Sequence, residues 1–211
     1  AKIICNLILG PTTASALSAS SAPFKDVPVS NTFAGYITYC AQEKIINGYP
    51  DGTFGPDRNM TRAEVAQMFY ALLNDQNVPA TVSFSDVPDG AWYADAVETL
   101  ASLGMVEGYA DGTFRPDNSI TRGAFAGILD RFLKFQSTSP AGTFSDLSGN
   151  YWEDAILKLH ASGVYLGNNG QALAGDTITR QQAVTMIARA FNISGESATV
   201  YYLDADQVAD Y

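Results

Sequence analysis

The sequence has few of the residue types on which catalytic and metal sites most often depend. It contains 1 histidine and 2 cysteines in 211 residues, so a disulfide-stapled mini-domain, a zinc finger or a histidine-centred triad lacks the residues it would need. Cations are also scarce, because 12 Lys and Arg stand against 22 Asp and Glu and the formal net charge is -10. This balance argues against nucleic acid or an anionic lipid surface as a partner held by bulk charge.

Long hydrophobic runs are missing as well, since no stretch reaches the roughly 18 apolar residues that a transmembrane helix needs. The nearest candidate is the segment 1–22, in which Lys2 precedes the apolar run 3–9 and a small-residue stretch ends at Ala22. This segment resembles a truncated secretory signal peptide with its cleavage region. The alternative is a retained tail that docks on a partner or on its own fold. The chain as a whole is 46% hydrophobic and has 11 Phe and 11 Tyr, which is enough for a core and excludes wholesale disorder.

A repeat of about 60 residues organises the chain. Three short motifs recur at this spacing: Phe-x-Asp-Val/Leu at 24–27, 84–87 and 144–147, Gly-Tyr-x-Asp-Gly-Thr-Phe at 48–54 and 108–114, and Thr-Arg at 61–62, 121–122 and 179–180. The repeat predicts five segments. They are an N-terminal signal-like or docking segment (1–23), unit 1 (24–83), unit 2 (84–143), unit 3 (144–201), and a cap or the start of a fourth unit (202–211).

Each unit is predicted to form a helix, a loop and a second helix. The apolar residues of the first helix recur with the 3.6-residue period of an amphipathic helix. In unit 2 they are Tyr93, Ala96, Val97, Leu100 and Leu103. Thr61 with Glu64, and Thr179 with Gln182, predict capping boxes at the start of the second helix. Because a unit of about 60 residues is too small to bury two apolar stripes alone, the sequence predicts one all-α assembly with a shared core and approximate threefold symmetry.

These units resemble the S-layer homology (SLH) module, and Asn59-Met60-Thr61-Arg62-Ala63-Glu64 is the closest copy of its helix-start motif. The resemblance implies three tandem SLH modules that pack as a pseudo-threefold spindle. It also implies that grooves between the modules bind secondary cell-wall polysaccharide, often through a pyruvylated sugar. Such binding would anchor a secreted protein noncovalently to the bacterial cell surface, outside the cell.

The repeated arginine is the strongest candidate for ligand binding. Arg62, Arg122 and Arg180 each follow the N-cap threonine, where the helix dipole slightly disfavours a cation. Helix stability alone therefore gives no reason to place an arginine there three times. Exposed N–H groups at the helix start, the dipole and a forked guanidinium would together bind one carboxylate. The alternative is an ion pair between each arginine and an acid of a neighbouring unit.

The Gly-Tyr pair of the loop supplies the other candidate ligand-binding residues. Gly48-Tyr49 and Gly108-Tyr109 could present backbone and an aromatic face to a sugar, or the tyrosines could simply pack under the loop. The loop of unit 3, residues 167–173, has lost the Asp, Phe and Pro of its counterparts. We therefore expect Arg180, in unit 3, to be a weaker or silent copy of the site.

Several other residues are expected to be structural. Asp26, Asp86 and Asp146 precede the first helix of each unit, where local turn or cap bonding is the expected role. His160 falls in the same repeat column as Cys40 and Leu100, a core-facing position, and is expected to be a satisfied or half-buried histidine rather than a catalytic one. Trp92 and Trp152 stand at the start of a first helix and are expected to pack rather than to hold a sugar. No metal site is expected, because the loops lack the spacing of an EF-hand, and no cofactor is expected either.

Two functions fit the sequence. The favoured one is a carbohydrate-binding anchor whose partner is cell-wall polysaccharide. The alternative is a structural or interaction module of a surface array or filament that has lost the polysaccharide site and binds other copies of itself or another subunit. An enzyme is not expected, because no nucleophile–base–orienter set, phosphate loop or metal cluster stands out.

Overall fold

The computed structural model describes residues 24–73 and 78–191. Within these ranges it contains six α-helices and isolated β-bridges, which confirms the all-α, helix-loop-helix fold class. The helices are α1 (Ala34–Gln42), α2 (Arg62–Leu72), α3 (Ala94–Ser102), α4 (Arg122–Leu133), α5 (Glu153–Ala161) and α6 (Arg180–Ala190). The predicted N-terminal segment and the predicted cap or fourth unit lie outside the described residues.

The second helix of every unit begins at the predicted threonine. Thr61 accepts a hydrogen bond from the backbone N–H of Glu64, and the Glu64 carboxylate accepts the N–H of Thr61 in return. Thr179 and Gln182 form the same reciprocal pair. Thr121 keeps only the side-chain half of the arrangement, because Ala124 has no group that could return the bond. Both predicted capping boxes are confirmed.

Three backbone hydrogen bonds join the units in a closed ring. The N–H of Met60 donates to the carbonyl of Ile178 (3.0 Å), that of Ile120 to Met60 (3.0 Å), and that of Ile178 to Ile120 (3.1 Å). All three side chains are buried, and each residue lies just before the second helix of its unit. Since the ring begins and ends on Met60, units 1 and 3 are direct neighbours although they are farthest apart in sequence.

Helix packing follows the same cyclic order. The second helix of each unit packs on the first helix of the next, so the contacting pairs are α2 with α3, α4 with α5, and α6 with α1. At the centre, the Phe69 ring lies 5.5 Å from the rings of both Phe125 and Phe132. One continuous cluster of buried residues runs through all three units. The units therefore share a core.

The three aspartates have a structural role, but they act at longer range than expected. The Asp26 carboxylate accepts the N–H groups of Phe54 (2.8 Å) and Gly55 (2.7 Å). Asp86 and Asp146 bind the corresponding N–H pairs of their own units. Each aspartate thus fixes the loop between the two helices of its unit rather than a neighbouring turn or helix cap.

Unit 3 is one residue shorter before its first helix, and this changes one predicted position. The N–H groups of Ile45, Met105 and Val164 donate to the carbonyls of Cys40, Leu100 and Leu159, so Leu159, not His160, occupies the core column. His160 is half-buried, with Nδ1 2.8 Å from the Ser139 hydroxyl and its ring edge-on to Phe144. Cys40 is buried as expected, and burial raises the pKa of its thiol to about 12.

In the degraded loop of unit 3, a missing aromatic ring is replaced by a ring from another position. Ala172 stands where units 1 and 2 have Phe54 and Phe114, and it leaves a ring-sized space. The Tyr165 ring fills that space: it is fully buried, lies 6.1 Å from the ring of Phe144, and donates its hydroxyl to the Ala172 carbonyl at 2.6 Å.

Two further properties of the described part of the chain bear on function. Within residues 24–73 and 78–191, no helix is long and apolar enough to cross a membrane. Within the same ranges, no cluster of three or more His, Cys, Asp and Glu side chains is arranged to hold a metal ion.

Candidate functional site

Each repeated arginine reaches into the loop of the next unit in the ring. Arg62 donates from Nε to the carbonyl of Phe114 (2.8 Å) and from Nη2 to the carbonyl of Glu107 (2.7 Å). Arg180 makes the same two bonds to Phe54 (2.8 Å) and Asn47 (2.6 Å) of unit 1. Of these two bonds, Arg122 makes one within the described part of the chain, a longer bond of 3.4 Å from Nε to the carbonyl of Ala172 in unit 3.

The expectation of free N–H groups at the helix start is wrong. The N–H groups of Arg62 and Ala63 donate to the carbonyls of Asn118 and Pro116, at 2.9 and 3.0 Å, and the next N–H is bound by the Thr61 cap. The helices beginning at Arg122 and Arg180 are satisfied in the same way by the following unit. What each helix start can offer an anion is therefore the guanidinium group alone.

The cyclic order also corrects which arginine meets the degraded loop. Arg180 belongs to unit 3 but contacts the intact loop of unit 1, where its guanidinium carbon lies 4.8 Å from the Tyr49 ring centroid and 4.6 Å from that of Phe54. The altered loop of unit 3 lies against Arg122, which stacks on Tyr165 at 4.8 Å. The reason for expecting Arg180 to be a silent copy therefore does not hold.

Arg180 differs from the other two arginines in having an acid beside it. Its side chain is 3% exposed, and its Nη1 lies 3.7 Å from Oε1 of Glu64, the acid of the unit 1 capping box. Burial lowers the pKa of Arg180 as it lowers that of Arg62, because both cations are partly desolvated. The inter-unit ion pair considered from the sequence is thus present at this arginine. Among the described residues, no carboxylate lies within ion-pair distance of Arg62 or Arg122.

Two of the arginines line open cavities to which all three units contribute. The Arg62 groove has a volume of about 350 Å³; it is formed by Arg62 of unit 1, the loop and second helix of unit 2, and two aromatic residues of unit 3. The Arg180 groove, about 410 Å³, is formed by Arg180 of unit 3, the loop and second helix of unit 1, and one aromatic residue of unit 2. Its residues from unit 1 include Tyr49, Glu64 and Gln67.

The two grooves differ in charge next to the arginine. In the Arg180 groove, Glu64 binds the Tyr49 hydroxyl at 3.2 Å and faces the guanidinium. The equivalent position of the Arg62 groove is Ala124. Nη1 of Arg62 consequently has no hydrogen-bond partner in the part of the chain that the structure describes. The Arg62 groove is the one that leaves a guanidinium free for an anion.

A second cation lines the Arg62 groove. Arg131, on the last turn of α4, forms a 2.9 Å ion pair with Glu107, whose carbonyl accepts the bond from Arg62. The Arg131 side chain is 29% exposed and that of Glu107 is 62% exposed. The corresponding residue of the Arg180 groove is Ala71. Sequence reasoning missed Arg131, although the position recurs as Arg189 on the last turn of α6; in unit 1 it is Ala71.

The loop glycines and tyrosines have distinct roles. A Cβ on Gly48 or Gly108 would collide with the ring of Phe24 or Phe84, so these glycines are required by packing of the opening phenylalanine. Tyr49 is half-buried, between Arg58 and Arg180. Tyr109 is 40% exposed in the Arg62 groove, where Arg115 lies 3.9 Å from its ring centroid.

The two tryptophans do not share one role. Trp152 is the N-cap residue of α5 and packs on α4, where a Cβ on Gly123 or Gly127 would enter its ring. The departure of unit 2 from the helix-start motif at Gly123 therefore accommodates this ring. Trp92 precedes the N-cap residue of α3 and is 63% exposed, so the expectation of packing is confirmed for Trp152 and wrong for Trp92. Tyr151, which precedes Trp152, was missed because the fixed spacing of 60 does not align it with Trp92.

Comparison with known proteins agrees with the resemblance carried by the motifs. The family model described as the S-layer homology domain matches residues 23–66 and 83–126. The chain is similar to a cellulosome-anchoring protein of Acetivibrio thermocellus, with 36% identity over 158 residues that cover 72% of this chain and 35% of that protein. It is also similar to cell surface glycoprotein 1 of the same bacterium, with 38% identity over 160 residues, 69% of this chain and 7% of that protein.

A further relative is the S-layer protein EA1 of Bacillus anthracis, which is 29% identical over 180 residues, 82% of this chain and 20% of that protein. The chain thus spans about a third or less of the length of these relatives. The matched segments contain the Asp26 and Asp86 loop clamps, both Gly-Tyr loops, and the helix starts at Arg62 and Arg122. On the family match, the motifs and the helical fold, the chain belongs to the S-layer homology domain family.

Proposed function

We propose that this chain binds a polysaccharide of the bacterial cell wall and so anchors the protein that carries it, noncovalently, at the outer cell surface. The family supports this proposal, as do relatives named for cellulosome anchoring and for S-layers. Unit 3 lies outside the matched segments, and we propose that it is a third, divergent SLH module. Three features support this assignment. Unit 3 has the same aspartate clamp on its loop and the same capped helix start as unit 1, and its backbone takes part in the closed ring of hydrogen bonds.

The observation that carries the proposal is the Arg62 groove. Its guanidinium is held by two backbone carbonyls of unit 2. Within residues 24–73 and 78–191, Nη1 of Arg62 has no hydrogen-bond acceptor and no carboxylate lies within ion-pair distance of the guanidinium. A fixed guanidinium with a free N–H edge binds carboxylates well, because little conformational entropy remains to be lost. Aromatic residues around a few fixed polar groups are the usual lining of a small-ligand site.

The three arginines then have graded roles in the proposal. Arg62, with Gly108 and Tyr109 forming the wall of its groove, binds an acidic group of the polysaccharide. Arg180, with Gly48 and Tyr49, shapes a second groove, in which the charge of the arginine is already matched by Glu64. Arg122 lies against the altered loop of unit 3 and is the weakest of the three candidates.

The net charge of -10 does not oppose an acidic ligand at this site. Exposed charges are screened beyond about 8–10 Å at ordinary ionic strength, whereas the Arg62 contact acts at hydrogen-bond distance. We propose that the chain acts by binding rather than by catalysis, with no cofactor, and that any catalytic activity of the whole protein resides in other domains.

The test is a pelleting assay with cell walls of Acetivibrio thermocellus, the source of two relatives. The chain should pellet with walls that keep their polysaccharide, should stay in solution with walls stripped of it by hydrofluoric acid, and should be released by the free polysaccharide. Equal pelleting with stripped walls would contradict the proposal, and self-assembly without wall binding would favour the array module.

Variants of Arg62 test whether this groove is the binding site. Arg62→Ala should weaken wall binding about tenfold to a hundredfold, the equivalent of one charge-assisted hydrogen bond. Arg62→Lys should restore part of the loss, since it keeps the charge without the fork. Lys25→Ala is the control, because Lys25 is an exposed cation that lines neither groove.

A further inference from the structure

In each unit, the residue that precedes the N-cap of the first helix occupies an equivalent position, but its side chain differs between the three units. The N-cap residues of α1, α3 and α5 are Phe33, Tyr93 and Trp152. The residues directly before them are Thr32, Trp92 and Tyr151. Unit 3 places this position 59 residues after unit 2 instead of 60, which hides the equivalence of Trp92 and Tyr151 in the sequence.

The N-cap residue and the residue before it differ in burial. The N-cap aromatic residues are half-buried and pack against the shared core. The aromatic residues before them are exposed, Tyr151 by 75% and Trp92 by 63%. Each is held by an edge-to-face contact with the N-cap ring, at 4.6 Å between Tyr151 and Trp152 and at 5.2 Å between Trp92 and Tyr93. Most of each outer ring contributes nothing to the core.

Both exposed rings lie at the mouths of the two grooves. Tyr151 lines the Arg62 groove together with Tyr109, and Trp92 lines the Arg180 groove together with Tyr49. Each is supplied by the unit that provides neither the arginine nor the loop of that groove. Contiguous exposed apolar patches that are rimmed by polar residues can mark ligand-binding grooves, whereas single exposed apolar residues are ordinary. Here each exposed ring lines a groove that holds a second aromatic residue.

We propose that Tyr151 and Trp92 are the platforms on which one sugar ring stacks in each groove. A pyranose ring has an apolar C–H face that packs on an aromatic ring, and fixed aromatic side chains provide contact area at low entropic cost. The inference rests on the proposed function, because it names how that function recognises the sugar face. At the third equivalent position stands Thr32, which has no ring, so unit 1 supplies no such platform.

The binding test uses soluble polysaccharide released from Acetivibrio thermocellus walls and measures the dissociation constant by calorimetry. Tyr151→Ala and Trp92→Ala should each weaken binding at their groove by about tenfold, the loss expected for one aromatic contact. Tyr151→Phe should retain most of the affinity because it keeps the ring. Val29→Ala is the control, since Val29 is exposed by 57% and lines neither groove.

Tryptophan emission gives a readout that a merely structural role would not move. The chain has 2 tryptophans, so Trp152→Phe leaves Trp92 as the single reporter of the Arg180 groove. Adding polysaccharide should shift the Trp92 emission to shorter wavelength and protect it from acrylamide. Arg62→Ala should leave this shift in place, because Arg62 lines the other groove.

The outcomes separate this inference from the function on which it rests. Suppose that the wild-type chain binds and that Arg62→Ala weakens binding, but that the Tyr151→Ala/Trp92→Ala double variant binds normally. The stacking role of the two rings is then wrong, whereas the proposed anchoring function is retained. An unchanged Trp92 emission at saturating polysaccharide would also overturn the platform at that groove. If the wild-type chain binds neither walls nor polysaccharide, the proposed function fails, and the inference fails with it. Thermal melts of each variant must show that a loss of affinity does not follow a loss of folding.

Discussion

Arg180 of unit 3 and Glu64 of unit 1 face one another across the closure of the ring, with Nη1 and Oε1 3.7 Å apart. The same glutamate caps its own helix at Thr61 and accepts the Tyr49 hydroxyl. One carboxylate therefore serves a helix start, a loop and a unit interface. The equivalent arginine of unit 1, Arg62, faces Ala124 and lacks this partner. The repeated arginine therefore faces a carboxylate in one groove and an alanine in the other.

Arg180→Ala should destabilise the fold more than it weakens wall binding. The substitution leaves the carbonyls of Phe54 and Asn47 without a donor and leaves Glu64 without its cation. Buried groups that lose a partner cost about 1–3 kcal/mol each, so we expect the free energy of unfolding to fall by about 2 kcal/mol or more. Urea titration measures this change. An unchanged midpoint, with wall binding lost, would show instead that Arg180 is a ligand residue.

The helices could be predicted from the sequence because their signals are local. The capping boxes at Thr61 and Thr179 lie within four residues of chain, and the apolar period of the helices is visible in a single window. The shared core also followed from the size of the units. These features need no knowledge of which unit lies beside which.

The site could be predicted only in part, because it depends on how the ring closes. The bond from Arg180 to Phe54 joins residues 126 positions apart, and no local pattern shows that unit 3 contacts the loop of unit 1. The use of the helix N–H groups by carbonyls of the following unit was missed for the same reason. The register of unit 3 was missed because one deleted residue shifts Leu159 and Tyr151 without leaving a mark in the motifs.

Ala124→Glu should convert the Arg62 groove into a copy of the Arg180 groove. A glutamate there completes the capping box at Thr121 and stands where Glu64 faces Arg180, so it would neutralise Arg62. We expect a gain in stability of about 0.5 kcal/mol from the cap and a loss of affinity for acidic polysaccharide of about tenfold. Ala124→Gln is the control, since it completes the cap without the charge. Wall binding that is equally weakened by both variants would point to a steric effect and contradict the charge argument.

Gly127→Ala should destabilise the chain, although alanine is normally the better helix residue. In an open helix this exchange stabilises by about 0.5–1 kcal/mol. Here the added Cβ would enter the Trp152 ring, which must then move off α4, and we expect a net loss of about 1–3 kcal/mol. The double variant Gly127→Ala/Trp152→Ala should show strong coupling between the two sites in a mutant cycle. Additive effects would mean that the ring does not rest on Gly127.

Ending the chain at residue 143 should abolish the cooperative fold of units 1 and 2. The truncation removes Ile178 and so breaks two of the three hydrogen bonds of the ring, and it removes both Trp152 from α4 and Arg180 from the loop of unit 1. The remaining units would expose the apolar faces that α5 and α6 cover. A chain of this length buries too small a fraction of its surface to offset that loss of burial. We expect broad thermal unfolding, dye binding typical of exposed apolar surface, and oligomers in size-exclusion chromatography, each measured beside the full chain. If residues 24–143 instead melt cooperatively as a monomer with the midpoint of the full chain, the units do not depend on a shared core.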